Sequence, residues 1–146
     1  MESIITQYLA IATAFIWVGL ILGISFLEAW LKFRAPGVTT AIGLGIGRLV
    51  FGALNKLEWL LTLVLILTLF TRQIPLLSDS GMMLSVIVVV LLTQTLWLLP
   101  ALNKRAFRVI NDRPVKPSGL HVIFIAAELA KIVLLVLTGI SLLNVL

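Results

Sequence analysis

Four apolar runs, each long enough to cross a bilayer, constrain this chain more than any other feature. About 20 consecutive apolar residues span a hydrocarbon core of about 30 Å as a helix, whereas shorter runs are typical of soluble cores. The runs are residues 4–29, 41–70, 82–102 and 120–146, the second interrupted by Arg48, Lys56 and Glu58 and the fourth by Glu128 and Lys131. Turn-forming residues separate them: Pro36-Gly37, then Pro75 with Ser78-Asp79-Ser80-Gly81, then Asp112, Pro114 and Pro117-Ser118-Gly119. Such lengths exceed those of barrel strands and the hydrophobic period is not two, so the spans are helices. Thr39 or Thr40, Ser80 and Ser118 are the expected N-caps.

Composition supports lipid as the solvent. Of 146 residues, 61% are hydrophobic and 12% charged, against about 45–50% and about 25% in a soluble domain. That balance excludes a soluble enzyme, a disordered chain and a disulfide-stapled secreted domain. With no cysteine and one histidine, Cys-based redox chemistry, zinc clusters and bis-His haem ligation are excluded as well. The first run follows Glu2 rather than a basic residue, and it is longer than a signal-peptide core. It is expected to be a retained span.

The predicted fold is therefore all-α: a single integral membrane domain, an antiparallel four-helix bundle with spans at about 4–31, 41–71, 82–102 and 119–145. Lys and Arg in short loops set orientation. Loop one carries Lys32 and Arg34, loop two balances Arg72 against Asp79, and loop three sets five basic residues against Asp112. The loops at 32–40 and 103–118 are thus expected to be cytoplasmic, which makes the topology N-out/C-out; a bacterial inner membrane is the expected location. The second run would be roughly 45 Å long as one helix. It must tilt, kink, or divide into an interfacial arm and a span, and Gly43, Gly45, Gly47 and Gly52 permit either division or kinking.

Polar residues inside the spans are the candidates for function, since each is costly in lipid and normally faces protein or water. Glu28 precedes Lys32 by four residues, the favourable order for a helical ion pair. Gly45, Arg48, Gly52, Asn55 and Trp59 share one stripe, with Glu58 beside it. Span three offers Gln94. Span four places His121 and Glu128 on one face, with Lys131 three residues beyond Glu128. The expected site is a cytoplasm-facing polar cluster that binds or passes a small ligand, ion or proton. Glu28, Glu58 and Glu128 would be its acceptors, Arg48 and Lys131 its counter-charges, and His121 a proton-sensitive rim. The competing reading is a set of interhelical ion pairs that fix register in a non-transporting scaffold or accessory subunit.

Other partners follow from the same residues. Gly19/Gly23 and Gly43/Gly47 are GxxxG pairs that suit close packing inside the chain or a homo-oligomer face. Lys104, Arg105, Arg108, Arg113 and Lys116 interleave with Phe107, Val109 and Ile110, a pattern that serves orientation and suits anionic lipid headgroups. Nucleic acid is not expected, because topology accounts for the basic excess. Trp30 fits an interfacial belt, while Trp17, Trp59 and Trp97 are expected to pack helices. No catalytic residue, metal or cofactor is expected: a Ser-His-Asp site would need His121 beside Asp79 or Asp112, which lie in loops on opposite sides.

The Gly19…Gly23…Phe26 stretch, the small-residue run to Phe51, Glu58 in span two, Pro100 and Asn103 closing span three, and His121 opening span four resemble the transmembrane protein 205-like family. The resemblance covers most of the chain through short, degenerate motifs. It implies a four-helix integral membrane fold and no particular activity. The chain departs from that pattern where Gly52 follows Phe51 in place of proline, and in Glu28, Lys32, Glu128 and Lys131.

Overall fold

A computed structural model describes the backbone of residues 2–144 and the side chains of residues 4–144. Within it the chain is an all-helical bundle of four long helices. Helix α1 is regular over Glu2–Ile21 and continues through a π-helical segment, Leu22–Glu28, a single α-turn, Ala29–Leu31, and a 3₁₀ turn, Lys32–Arg34. Helix α2 is Thr40–Thr71. Helix α3 comprises Asp79–Thr93, a π-helical segment Gln94–Leu98, and Leu99–Ile110. Helix α4 is Leu120–Leu143. All four are long and apolar enough to cross a membrane.

Each helix packs against its neighbours in sequence, and α1 closes the ring against α4. The outer surface is apolar: Leu49, Phe70 and Leu96 expose 77%, 81% and 74% of their area. The centre, by contrast, contains Glu58, Gln94, Glu128 and Lys131 among its most buried side chains. Apolar outside and charged inside is the inverse of a soluble bundle, and it requires lipid around the helices. This is a multi-pass membrane protein.

The core divides along the bundle axis. Toward the end that holds loop two, Ala10, Ala14, Leu65, Leu69, Leu84 and Leu142 form an apolar plug. Gln7 ties that end together by donating Nε2 to the Leu142 carbonyl at 2.5 Å, and the Ser80 and Ser141 hydroxyls meet at 3.0 Å. The opposite end, between loops one and three, carries most of the basic residues and is called the basic end below.

Several boundaries differ from expectation for identifiable reasons. Helix α2 is one uninterrupted α-helix of 32 residues, about 48 Å long, so no interfacial arm separates from the span. Its glycines do not divide it: Gly43 packs onto Phe33 of α1, where an added Cβ would lie 2.2 Å from the ring, and Gly47 faces Lys32. Helix α3 runs to Ile110 instead of ending at 102. Its last turns alternate basic and apolar residues at helical spacing, which suits a helix leaving the hydrocarbon for the headgroup layer. Ser78, not Ser80, caps α3 by accepting from the Gly81 amide at 3.2 Å. Thr39 caps α2, and Gly119, not Ser118, occupies the N-cap position of α4. The expected end of the fourth span at residue 145 lies outside the described residues.

Candidate functional site

The centre of the bundle is built on a charge imbalance. Lys131, on α4, sits between two carboxylates: it donates to Glu58 Oε1 across the bundle diagonal and lies 3.0 Å from Glu128 Oε1 one turn back on its own helix. All three residues are at most 2% exposed. Two carboxylates face one ammonium, so the fully ionised group has a formal charge of −1. An isolated charge in a low-dielectric interior is costly unless it is hydrogen-bonded or neutralised.

Every helix sends a donor or a charge to this group. Trp17 of α1 donates Nε1–H to Glu58 Oε1 at 2.9 Å. Ser25, also on α1, donates to Glu128 Oε2 at 3.3 Å, and Gln94 of α3 donates Nε2–H to Glu128 Oε1 at 2.7 Å. Both of these donors stand in the π-helical segments, Ser25 in Leu22–Glu28 and Gln94 in Leu22–Glu28's counterpart Gln94–Leu98. Such π-turns are rare and concentrate at functional sites. Gln94 is 1% exposed, and its Oε1 has no donor among the described residues. The group therefore combines one surplus negative charge with one unfilled acceptor.

A second polar contact lies beside it. Thr95 Oγ1 is 3.0 Å from both Asn55 Nδ2 and Trp59 Nε1, linking α2 to α3. One turn toward the basic end, Leu54, Leu98 and Phe124 are all buried, and Phe51 meets Phe124 edge to face with centroids 5.2 Å apart. Beyond that apolar layer opens a cavity of about 330 Å³ between α1, α2, α3 and the start of α4, with Arg48, Asn103, Arg105 and His121 among its lining residues.

The residues expected to form one cluster thus occupy two levels. Glu58, Gln94, Glu128 and Lys131 converge in the buried centre, and Asn55 adjoins them. Glu28 stays near the basic end, where it pairs with Lys32 at 3.1 Å as its spacing predicts. Arg48 is not a counter-charge to the glutamates; it is exposed, with its guanidinium 6.0 Å from the Phe107 ring centroid. His121 is exposed at the cavity rim. Trp17, Ser25 and Thr95 were not expected as partners. A tryptophan in mid-span carries an N–H that needs an acceptor when buried, and that requirement was the available signal for Trp17.

Fold and site together define a small multi-pass membrane protein with an ionic centre shared by four helices. No family model, curated protein or solved structure matches the chain. The likeness to the transmembrane protein 205-like family rests on its short motifs alone.

Proposed function

We propose that the chain binds one small positive charge, a proton in the first instance, at the Glu58–Lys131–Glu128 centre. The surplus carboxylate carries this reading: uptake of one proton makes the group neutral, and the Oε1 of Gln94, whose Nε2–H already donates to Glu128, is an acceptor still without a donor among the described residues. Ionisable residues buried within membrane spans commonly mark ion or proton sites. The basic end would face the cytoplasm by the positive-inside rule. Access from that end would pass the cavity and then the Phe51–Phe124 contact, while the apolar plug closes the other end.

The test is infrared difference spectroscopy of the protein in bilayers during a pH titration. A pH-dependent carboxylic-acid band that is present in the parent and lost in the Glu58→Gln/Glu128→Gln double variant is expected. If the parent and the Glu58→Gln/Glu128→Gln double variant give identical difference spectra, with both folded, the centre does not take up protons. Proton passage is a separate readout, measured with a pH-sensitive dye inside liposomes.

A second reading, the non-transporting scaffold, is favoured by Gly19 and Gly23. Nothing lies within 4 Å of a Cβ placed at either position, so this small-residue face is open on the bundle surface. A partner helix, from another copy or another protein, could approach closely there. Crosslinking from Gly19→Cys in native membranes should trap a stoichiometric partner under this reading, and recovery of uncrosslinked monomer alone would count against it.

A further inference from the structure

We infer that the basic end binds a phosphate-bearing amphiphile, its anionic group held by the α3 terminus and loop three and its apolar part lodged among the helix ends. Two cavities meet at Arg105, which lines both. The first, about 330 Å³, has apolar and aromatic walls that include Phe33 and Phe51, with Arg48 and His121 among its polar lining residues. The second, about 570 Å³, is bordered by Lys104, Arg105, Arg108 and Lys116, with no acidic residue in its lining.

The charges at this end are unequal in availability. Lys32, on the wall of the first cavity, is committed to Glu28 at 3.1 Å. Among the described residues, Arg48, Arg105, Arg108 and the two lysines of the second cavity have no carboxylate within ion-pair distance. Asp112 belongs to the same loop but lines neither cavity. Arg105 is held in place by donating Nη1–H to the Lys116 carbonyl, which joins the end of α3 to loop three. A guanidinium fixed on one side by its backbone contact keeps further N–H donors for a planar or tetrahedral oxyanion.

Four cations around one cavity and an aromatic, apolar cavity next door match an anionic headgroup with an attached chain. Basic cavities at helix ends on one side of a membrane protein take acidic headgroups in this manner. The chemistry shared by all candidates is a phosphate ester with a net negative charge, which zwitterionic phosphatidylcholine lacks; its source is either an acidic phospholipid or a soluble phosphorylated compound. The inference does not rest on proton uptake at the bundle centre, since the two sites share no residue.

The experiment is native mass spectrometry of the full chain released from mixed vesicles of phosphatidylglycerol and phosphatidylcholine. The comparison set is the parent, Arg48→Gln, Arg105→Gln and the double variant, with Lys56→Gln as a charge-matched control outside both cavities. The parent should retain phosphatidylglycerol preferentially. Each arginine variant should weaken retention by about tenfold, and Lys56→Gln should leave it unchanged. If inorganic phosphate or a short-chain phosphate ester displaces the retained lipid, the same site is assigned to a soluble ligand as its source. Equal retention of the two lipids by the parent overturns the inference, as does undiminished selectivity in the arginine variants. Arg48 is exposed, so Arg48→Gln alone keeps the comparison decisive if substitution at Arg105 disturbs folding.

Discussion

Replacing Lys131 by Met tests the charge arithmetic at the bundle centre. Methionine keeps much of the lysine's unbranched length, so the main loss is the ammonium rather than packing. Glu58 and Glu128, 2% and 0% exposed, are then left without a cation. Breaking a buried pair by removing one partner costs about 3–5 kcal/mol, and a charged side chain at a helix centre in a bilayer costs about 2.5–3.5 kcal/mol on insertion scales. Protonation of the stranded carboxylates offsets part of this. A loss of about 3 kcal/mol is expected, roughly a hundredfold in the folding equilibrium.

Glu128→Gln works in the opposite sense. It removes the surplus charge, leaves Glu58 and Lys131 as a neutral pair, and retains an amide oxygen to accept from Gln94 and Lys131. Since interhelical hydrogen bonds in membranes average about 0.6 kcal/mol, its stability should lie within about 1 kcal/mol of the parent. Reversible unfolding in bicelles at one fixed pH, with the three proteins in parallel, measures both. The reasoning fails if Lys131→Met is as stable as the parent, or if Glu128→Gln is destabilised as much as Lys131→Met.

Three further substitutions have defined expectations, each readable by thermal unfolding in the same bicelles. Gly81→Ala should destabilise by about 1–3 kcal/mol, because an added Cβ would lie 2.5 Å from the Pro75 carbonyl oxygen and 2.6 Å from that of Leu76; Gly19→Ala, with open space around it, should stay within about 0.5 kcal/mol. Trp17→Phe keeps an aromatic ring but removes the donor to Glu58, which should lower stability by about 1 kcal/mol and have no effect in a Glu58→Leu background. Thr95→Val deprives both Asn55 and Trp59 of their shared acceptor and should cost about 1–2 kcal/mol, whereas Asn55→Ala alone should cost less than half of that.

The parts of this molecule that were legible in its sequence are those governed by one helix at a time. Lipid thickness sets span length, so four spans could be counted directly. Helical periodicity places Glu28 beside Lys32 and Glu128 beside Lys131, and both pairs form. The Glu58–Lys131 contact crosses the bundle from α2 to α4, and no local spacing encodes it. Arg48 illustrates the same limit in reverse: it shares a stripe with Asn55, yet Asn55 is buried against Thr95 while Arg48 lies near Phe107 at the basic end. The overlong second run was resolved by the fold around it, since α1 and α3 extend alongside α2 to Arg34 and Ile110. Three long helices share the excess length.

The π-helical segments were the least legible feature, and they determine what reaches Glu128. In α3 the segment Gln94–Leu98 ends two residues before Pro100. Proline supplies no N–H for the carbonyl of residue 96, and its ring crowds that carbonyl, so regular helix is disfavoured there. Widening the turn relieves the clash without ending the helix, and Gln94 at its start points inward to Glu128. Helix α1 has no proline in its π segment, so the same cause does not apply. There the consequence is geometric: in a regular helix Ser25, eight residues after Trp17, would be rotated about 80° from the Trp17 face. A π-turn advances each residue by a smaller angle, which carries Ser25 back toward that face. Trp17 can then serve Glu58 while Ser25 serves Glu128 from the same helix. Two departures from regular helix, one beside a proline and one not, thus supply both neutral donors to Glu128, the carboxylate that shares Lys131 with Glu58.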